Sequence, residues 1–204
     1  EDEEDGMFCD DDDDITEHDC CVQLTSIFGA MMASNPEGFF KVVVPKLSPP
    51  LVNWLGSDDV EEYVLGLFIV ADFLEKLKEK SVPAWPSFMS AIVKSLTHKD
   101  PRVRTAGAYA ANLASRLPAF HANPAAKQVF AIVVDVLQQP MPRRKAIKDM
   151  LAYDNMVAAL LNFLIHMPQN APKEDMVPQL WDAIFKKLKK NSRNFRVNRE
   201  MREK

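Results

Sequence analysis

The chain has 204 residues, 47% of them apolar, and a formal net charge of -4. That is enough apolar material for one sizeable or two small cores, and too much for a chain disordered throughout. Only 6 glycines stand beside 14 prolines, too few for a phosphate-cradling loop. Neither a Walker-type nor a dinucleotide fingerprint occurs, and alternating β-branched runs are almost absent, so the expected class is all-α.

The net charge conceals a polarity. Residues 1–20 hold 12 acids and no Lys or Arg, residues 186–204 hold nine basic groups against Glu200 and Glu203, and the stretch between them is close to neutral. A block of like charge buries too little apolar surface to offset its own ordering entropy. Residues 1–17 are therefore expected to be a disordered acidic segment, 18–188 the folded part, and 189–204 a basic tail, disordered or artificial. The opening EDEEDGMFCDDDDD has neither the basic start nor the apolar stretch of a secretory leader, and the chain is expected to be a fragment. The longest apolar run, YVLGLFIVADFL at 63–74, falls short of the roughly 20 residues that cross a bilayer, so no membrane partner is expected. Cys9, Cys20 and Cys21 leave an odd count with two adjacent, which suits a reducing cytosol or nucleus.

In chain order, apolar residues recur at helical spacing between short Pro, Asn, Asp or Gly punctuation. The first segment covers about 18–34 and stops at NPEG. The second, 39–55, contains Pro45, Pro49 and Pro50, which remove donors and predict a kink or interruption. The third follows the Ser57-Asp58-Asp59 cap and runs to about Lys80; the fourth covers about 82–97. The fifth, KDPRVRTAGAYAANLASRLPAF at 99–120, opens with Asp100 as cap and Pro101 at the first helical position. The sixth covers about 124–138 and the seventh about 143–166. An eighth, MVPQLWDAIFKKLKK, covers 176–190. Such short connections predict antiparallel neighbours.

The segments alternate in character. Val-Pro entries recur in the second, fourth and eighth, and Asp-led entries in the third and fifth. Aligning LFIVADFLEKL with AYAANLASRL gives an offset of roughly 41 residues, within the range of two-helix repeat units. In the fifth segment Asp100 caps, Val103 enters the core, Arg104 can reach an Asp of a neighbouring repeat, and the small residues from Ala106 to Ala111 admit close helix packing.

Catalysis and metal binding find little support. His98, His121 and His166 fall at helix ends with no Ser or Cys partner nearby in sequence. Cys9, His18, Cys20 and Cys21 lack the spacing of paired zinc knuckles. No cofactor and no enzymatic activity are expected. Trp54, Trp85 and Trp181 read as inter-repeat core. The basic tail could contact phosphates, but with Phe195 as its one aromatic it makes a nucleic-acid partner unlikely.

The acidic run before a helix (DDDDDITEHDCCVQLTSIFGAMM), the proline-bearing helix FFKVVVPKLSPPLVNWL, the long helix EEYVLGLFIVADFLEKL and the Asp-Pro-x-Val-Arg element HKDPRVRTAGAYAANLA follow one another. In that order they resemble the importin-β (karyopherin-β) superfamily, and within it the C-terminal HEAT-repeat region of the importin beta-3 type. The resemblance covers about residues 10–188. It implies an α-α superhelix of about four helical-hairpin units, with Asp100, Pro101, Val103 and Arg104 as the structural HEAT motif. It also implies a nuclear import receptor that shuttles between cytoplasm and nucleus. Such a receptor holds basic nuclear-localisation cargo on its concave face and takes Phe-Gly nucleoporins in slots between outer helices. Cargo release by Ran-GTP would act mainly through repeats outside this chain. Asp10, Asp11, Asp12, Asp13 and Asp14 are the candidate contacts for basic cargo, through electrostatic attraction. The alternative is a HEAT scaffold or regulatory subunit of another protein complex.

Overall fold

The computed structural model describes residues 17–139 and 147–166, together with Pro178, Trp181 and Phe185. Cys9, Asp10 to Asp14, nearly all of 176–190 and the tail 189–204 lie outside the described residues. Among the described residues the regular elements are all helical. They are α1 Glu17–Ser34, α2 Pro36–Gly38, α3 Val44–Trp54, α4 Val60–Asp72, α5 Met89–Ser95, α6 Pro101–Ser115, α7 Pro118–His121, α8 Pro124–Gln138 and α9 Ile147–His166.

Local chemistry explains the boundaries. Asn35, Asp59, Asp100 and Asn123 each cap a helix through a side-chain oxygen that accepts a backbone N–H, satisfying donors that have no partner inside the helix. Proline follows three of these caps, at Pro36, Pro101 and Pro124, where its missing N–H costs nothing. The interruption expected at the prolines of the second segment lies ahead of them, in a wide-wound turn at Phe39–Val43. Helix α3 then runs through Pro49 and Pro50. The carbonyls that those two prolines leave without donors belong to the exposed residues Pro45 and Lys46, where water can serve them.

The fourth segment departs further from expectation. In place of one helix over 82–97, a tight helical stretch at Lys78–Ser87 carries Pro83 and Pro86, and only then does α5 begin. The two missing donors favour the tighter winding. Trp85 anchors that stretch: it is 2% exposed, and its indole N–H donates to Ser81 Oγ at 2.8 Å.

Helices α3 and α4, α5 and α6, and α8 and α9 form three successive hairpins. One layer consists of α1, α4, α6 and α9, each packed on the next. The second layer holds α3, α5 and α8, with α5 against α8. Aromatic rings fill the seam between layers. Phe28, Phe39, Phe73 and Phe88 meet edge to face at 6.1, 6.1 and 6.2 Å. Further along, Trp85, Phe120, Phe163 and Phe130 continue at 6.1, 6.1 and 5.4 Å. Burying rings in such contacts is a large apolar contribution with defined geometry.

Two glycines 41 positions apart occupy matching places in successive hairpins. A Cβ on Gly66 would lie 2.9 Å from Leu55 Cδ2, just past the end of α3. One on Gly107 would lie 1.8 Å from Ser95 Oγ and 2.6 Å from Ser95 Cβ, at the end of α5. In each hairpin the helix of the first layer therefore approaches the end of its partner through a missing side chain. The obstacles differ, because Leu55 is half-buried and flexible at its tip, whereas Ser95 is fully buried with its hydroxyl donating to Ile92 O at 2.6 Å.

Gly107→Ala is accordingly expected to lower stability by about 2 kcal/mol through overpacking. Gly66→Ala should lose less than about 1 kcal/mol, since Leu55 can swing aside and alanine's helix propensity offsets part of the clash. Urea unfolding of the two variants checks this ordering, and equal losses would contradict it.

Candidate interaction surface

The Asp-Pro-x-Val-Arg element is spent on architecture. Asp100 Oδ1 accepts the Arg102 N–H at 2.8 Å. The Arg102 guanidinium returns to the same carboxylate at 3.1 and 3.2 Å, holding the Asp100 carboxyl below the usual carboxylate range. Arg102 also pairs with Glu61 of α4. Val103 is fully buried. Arg104 donates to the carbonyls of His98 and Lys99 at 2.6 and 2.8 Å and pairs with Asp149 of α9. One short motif thus ties α6 to the hairpin before it and the hairpin after it. His98 takes part as well, accepting the Asp100 N–H through Nδ1 at 3.0 Å.

Further along, α6 and α9 are joined by amides. Thr105 Oγ1 donates to Lys148 O at 2.7 Å, and Asn112 donates to Asn155 Oδ1 at 3.2 Å. Asn162 donates to Asn112 Oδ1 at 3.3 Å and to Ser115 Oγ at 3.1 Å. Asn112 is only 4% exposed, so these partners meet the requirement that a buried amide be satisfied, and they fix the register of α9 on α6. Sequence reading missed this set. Its signal was an asparagine inside an alanine run at 112 and two more inside apolar stretches at 155 and 162.

What remains open is the face of the first layer that turns away from the second. On α4 and the wide-wound turn Phe73–Leu77 that follows it, the exposed or half-buried positions Phe68, Asp72, Glu75 and Lys76 recur at helical spacing. On α6 and its C-cap the corresponding positions are Thr105, Tyr109 and Arg116. Between α1 and α4 this face sinks into a groove of about 460 Å³, walled by Thr25, Ser26, Gly29, Ala30 and Ala33 with Asp72 and Lys76 opposite. A Cβ on Gly29 would stand in ordinary contact with Asp72, 3.5 Å from its Oδ2.

Burial in the groove pushes the Asp72 carboxyl up to about 6, against a partial counter-effect from Lys76. Lys76 lies 2.8 Å from Glu75. Burial also raises the Tyr109 hydroxyl, with Glu75 and Asp72 adding to it. Asp72 is thus a carboxylate held at a cost in a cleft, with Glu75, Tyr109 and the Lys76 ammonium close by.

A second concavity of about 550 Å³ lies between the α5–α6 connection, the end of α8 and the start of α9. Leu96, Val136, Ala152 and Met156 give it apolar walls, while Lys99, Arg104, Asp135 and Asp149 supply polar ones. The three tryptophans are not equivalent: Trp85 is buried, Trp54 is half-buried, and Trp181 is 59% exposed. His121 and His166 face each other at 5.1 Å, and burial, together with His166, pushes the His121 imidazole down. Among the described residues no group of three or more His, Cys, Asp or Glu is placed to hold a metal, and no helix is long and apolar enough to cross a membrane.

Asp72 gives a pH prediction. Its folded value of about 6 lies above the ordinary 3.8, so the folded state holds the proton more tightly and stability falls as pH rises from about 4 to 6. The full shift would be worth about 3 kcal/mol, but the side chain is half open to water, and screening brings the effect down to about 1 kcal/mol. Asp72→Asn is expected to gain about that much at pH 7.5 and nothing at pH 4, as measured by urea unfolding at both values. A gain that does not depend on pH would contradict the assignment.

Protein-family models, curated proteins and solved structures offer no match to this chain, which leaves its own geometry as the guide to function.

Proposed function

We propose that this chain is part of a nuclear import receptor and works by reversible protein binding, with no chemical step. Supporting this is the continuous layer α1, α4, α6 and α9, whose open face carries Asp72 in a groove, with Glu75 and Tyr109 near enough to share its electrostatics. In the finer reading the stacked hairpins are HEAT units, about four in all, coiling into an α-α superhelix with the first layer on its concave side. Each unit contacts only its neighbours, so small rotations per unit add up to a change of curvature that grips or releases cargo.

In this reading a basic nuclear-localisation segment lies along the first-layer face, with its lysines or arginines near Asp72 and Glu75. The acidic run Asp10 to Asp14 adds long-range attraction and speeds encounter. The concavity between the second and third hairpins takes the aromatic side chain of a Phe-Gly nucleoporin motif against Leu96, Val136 and Met156. Ran-GTP acts through repeats outside this chain, and the protein shuttles between cytoplasm and nucleus.

Titration of a lysine-rich nuclear-localisation peptide at low and at physiological salt tests the reading. Binding is expected to weaken at least several-fold as salt rises. Asp72→Asn combined with Glu75→Gln should reduce affinity by roughly tenfold, while a Phe-Gly peptide keeps its affinity for that variant. Absence of binding by both peptides would overturn the transport role. Salt-independent binding, unchanged in the double variant, would move the cargo site off this face.

A further inference from the structure

The third hairpin ends the described stack with an uncovered side. Along α9, Ile147, Leu151, Asp154, Ala158, Leu161 and Ile165 recur at alternating four- and three-residue steps, which places them on one stripe of the helix. The stripe faces away from the core residues Met156 and Phe163. Its large apolar members are open: Ile147 is 68% exposed, Leu151 and Leu161 48%, and Ile165 70%. Helices α4 and α6, by contrast, are each covered by the next helix of the layer.

The chain itself supplies a second apolar pattern of matching kind. In 176–190 the residues Val177, Leu180, Trp181, Ile184 and Leu188 recur at helical spacing. Pro178, Trp181 and Phe185 are helical and exposed, and the Trp181 and Phe185 rings lie 5.2 Å apart. We propose that residues 176–190 dock on the Ile147–Ile165 stripe of α9 in the same molecule and close that end of the stack.

Length and charge agree with this pairing. The 15 residues would form a helix about 22 Å long, which fits along the roughly 30 Å of α9. Nine intervening residues, with Pro168 and Pro172 among them, reach up to about 30 Å and allow the chain to turn back. An antiparallel return sets Lys186, Lys187, Lys189 and Lys190 beside the half of α9 that carries Asp154 on the stripe. A second copy of the chain could offer the same apolar surface, but a short tether gives an effective concentration on the order of millimolar, well above a micromolar protein solution. The docking is independent of what the first-layer face binds, and it would carry the basic tail to the α9 end of the molecule.

Hydrogen exchange of the full chain at micromolar concentration, read alongside light scattering on a sizing column, tests the pairing. A monomer in which the amides of 176–190 exchange at least roughly tenfold more slowly than unprotected amides is expected. Leu161→Asp with Ile165→Asp, both at exposed positions, should remove that protection while leaving the protection of α4 and α6 intact. Trp181→Ala with Phe185→Ala should do the same from the other side. Unprotected exchange in the unaltered chain overturns the pairing, as does protection that survives both double variants. Protection that vanishes on dilution together with a dimer also overturns it, by assigning the face to a second copy.

Discussion

Everything in this fold depends on α6 being narrow. Ala106, Gly107, Ala108, Ala110, Ala111 and Ala114 are all buried, and with so little side-chain bulk the helix can lie against α4, α5 and α9 together. Helix axes that approach this closely gain dispersion contacts along their length, and any added atom is felt by several neighbours at once. Gly107 is the extreme case, where the backbone of α6 meets Ser95 directly. A bulkier helix at this position would push its neighbours apart and open the seam that the aromatic rings now fill.

Close packing alone does not choose a register, since alanine faces slide easily past one another. Polar groups on α6 make the choice. At its first turn Arg102 and Arg104 reach opposite ways to Glu61 and Asp149, and at its far end Asn112 and Ser115 engage Asn155 and Asn162. Surface ion pairs contribute little to stability, so the value of these contacts lies in orientation. With α4, α6 and α9 locked in order, the side chains they project away from the second layer form one surface, on which Asp72, Glu75 and Tyr109 come together. The proposed role in cargo binding rests on that surface; the Asp-Pro-x-Val-Arg element, at the start of α6, serves as framework.

Helix starts were the most legible part of the sequence. Asp59 and Asp100 announced them because a cap is a local event, set by one side chain and the next two or three amides. The 41-residue offset was legible as well, and Gly66 and Gly107 give it a physical meaning that an alignment of apolar letters could not: the glycines match because each faces the end of the preceding helix. The tight stretch at Lys78–Ser87 was read as plain helix, although Pro83 and Pro86, whose missing donors favour the tighter winding, stood in view. The groove at Asp72 was invisible. Its walls come from α1 and its carboxylate from α4, and nothing in the spacing of Gly29 and Asp72 says that they meet. The amide set at Asn112 was hidden for the same reason, its members lying 43 and 50 residues apart.

Mapping a bound lysine-rich peptide residue by residue, through amide chemical-shift changes, tests the proposed role most directly. The changes are expected to cluster on Thr25 to Ala33 of α1, on Asp72 to Lys76 and on Tyr109 of α6, all on one face of the first layer. Changes confined to α3, α5 and α8 would place the peptide on the opposite layer and contradict the account.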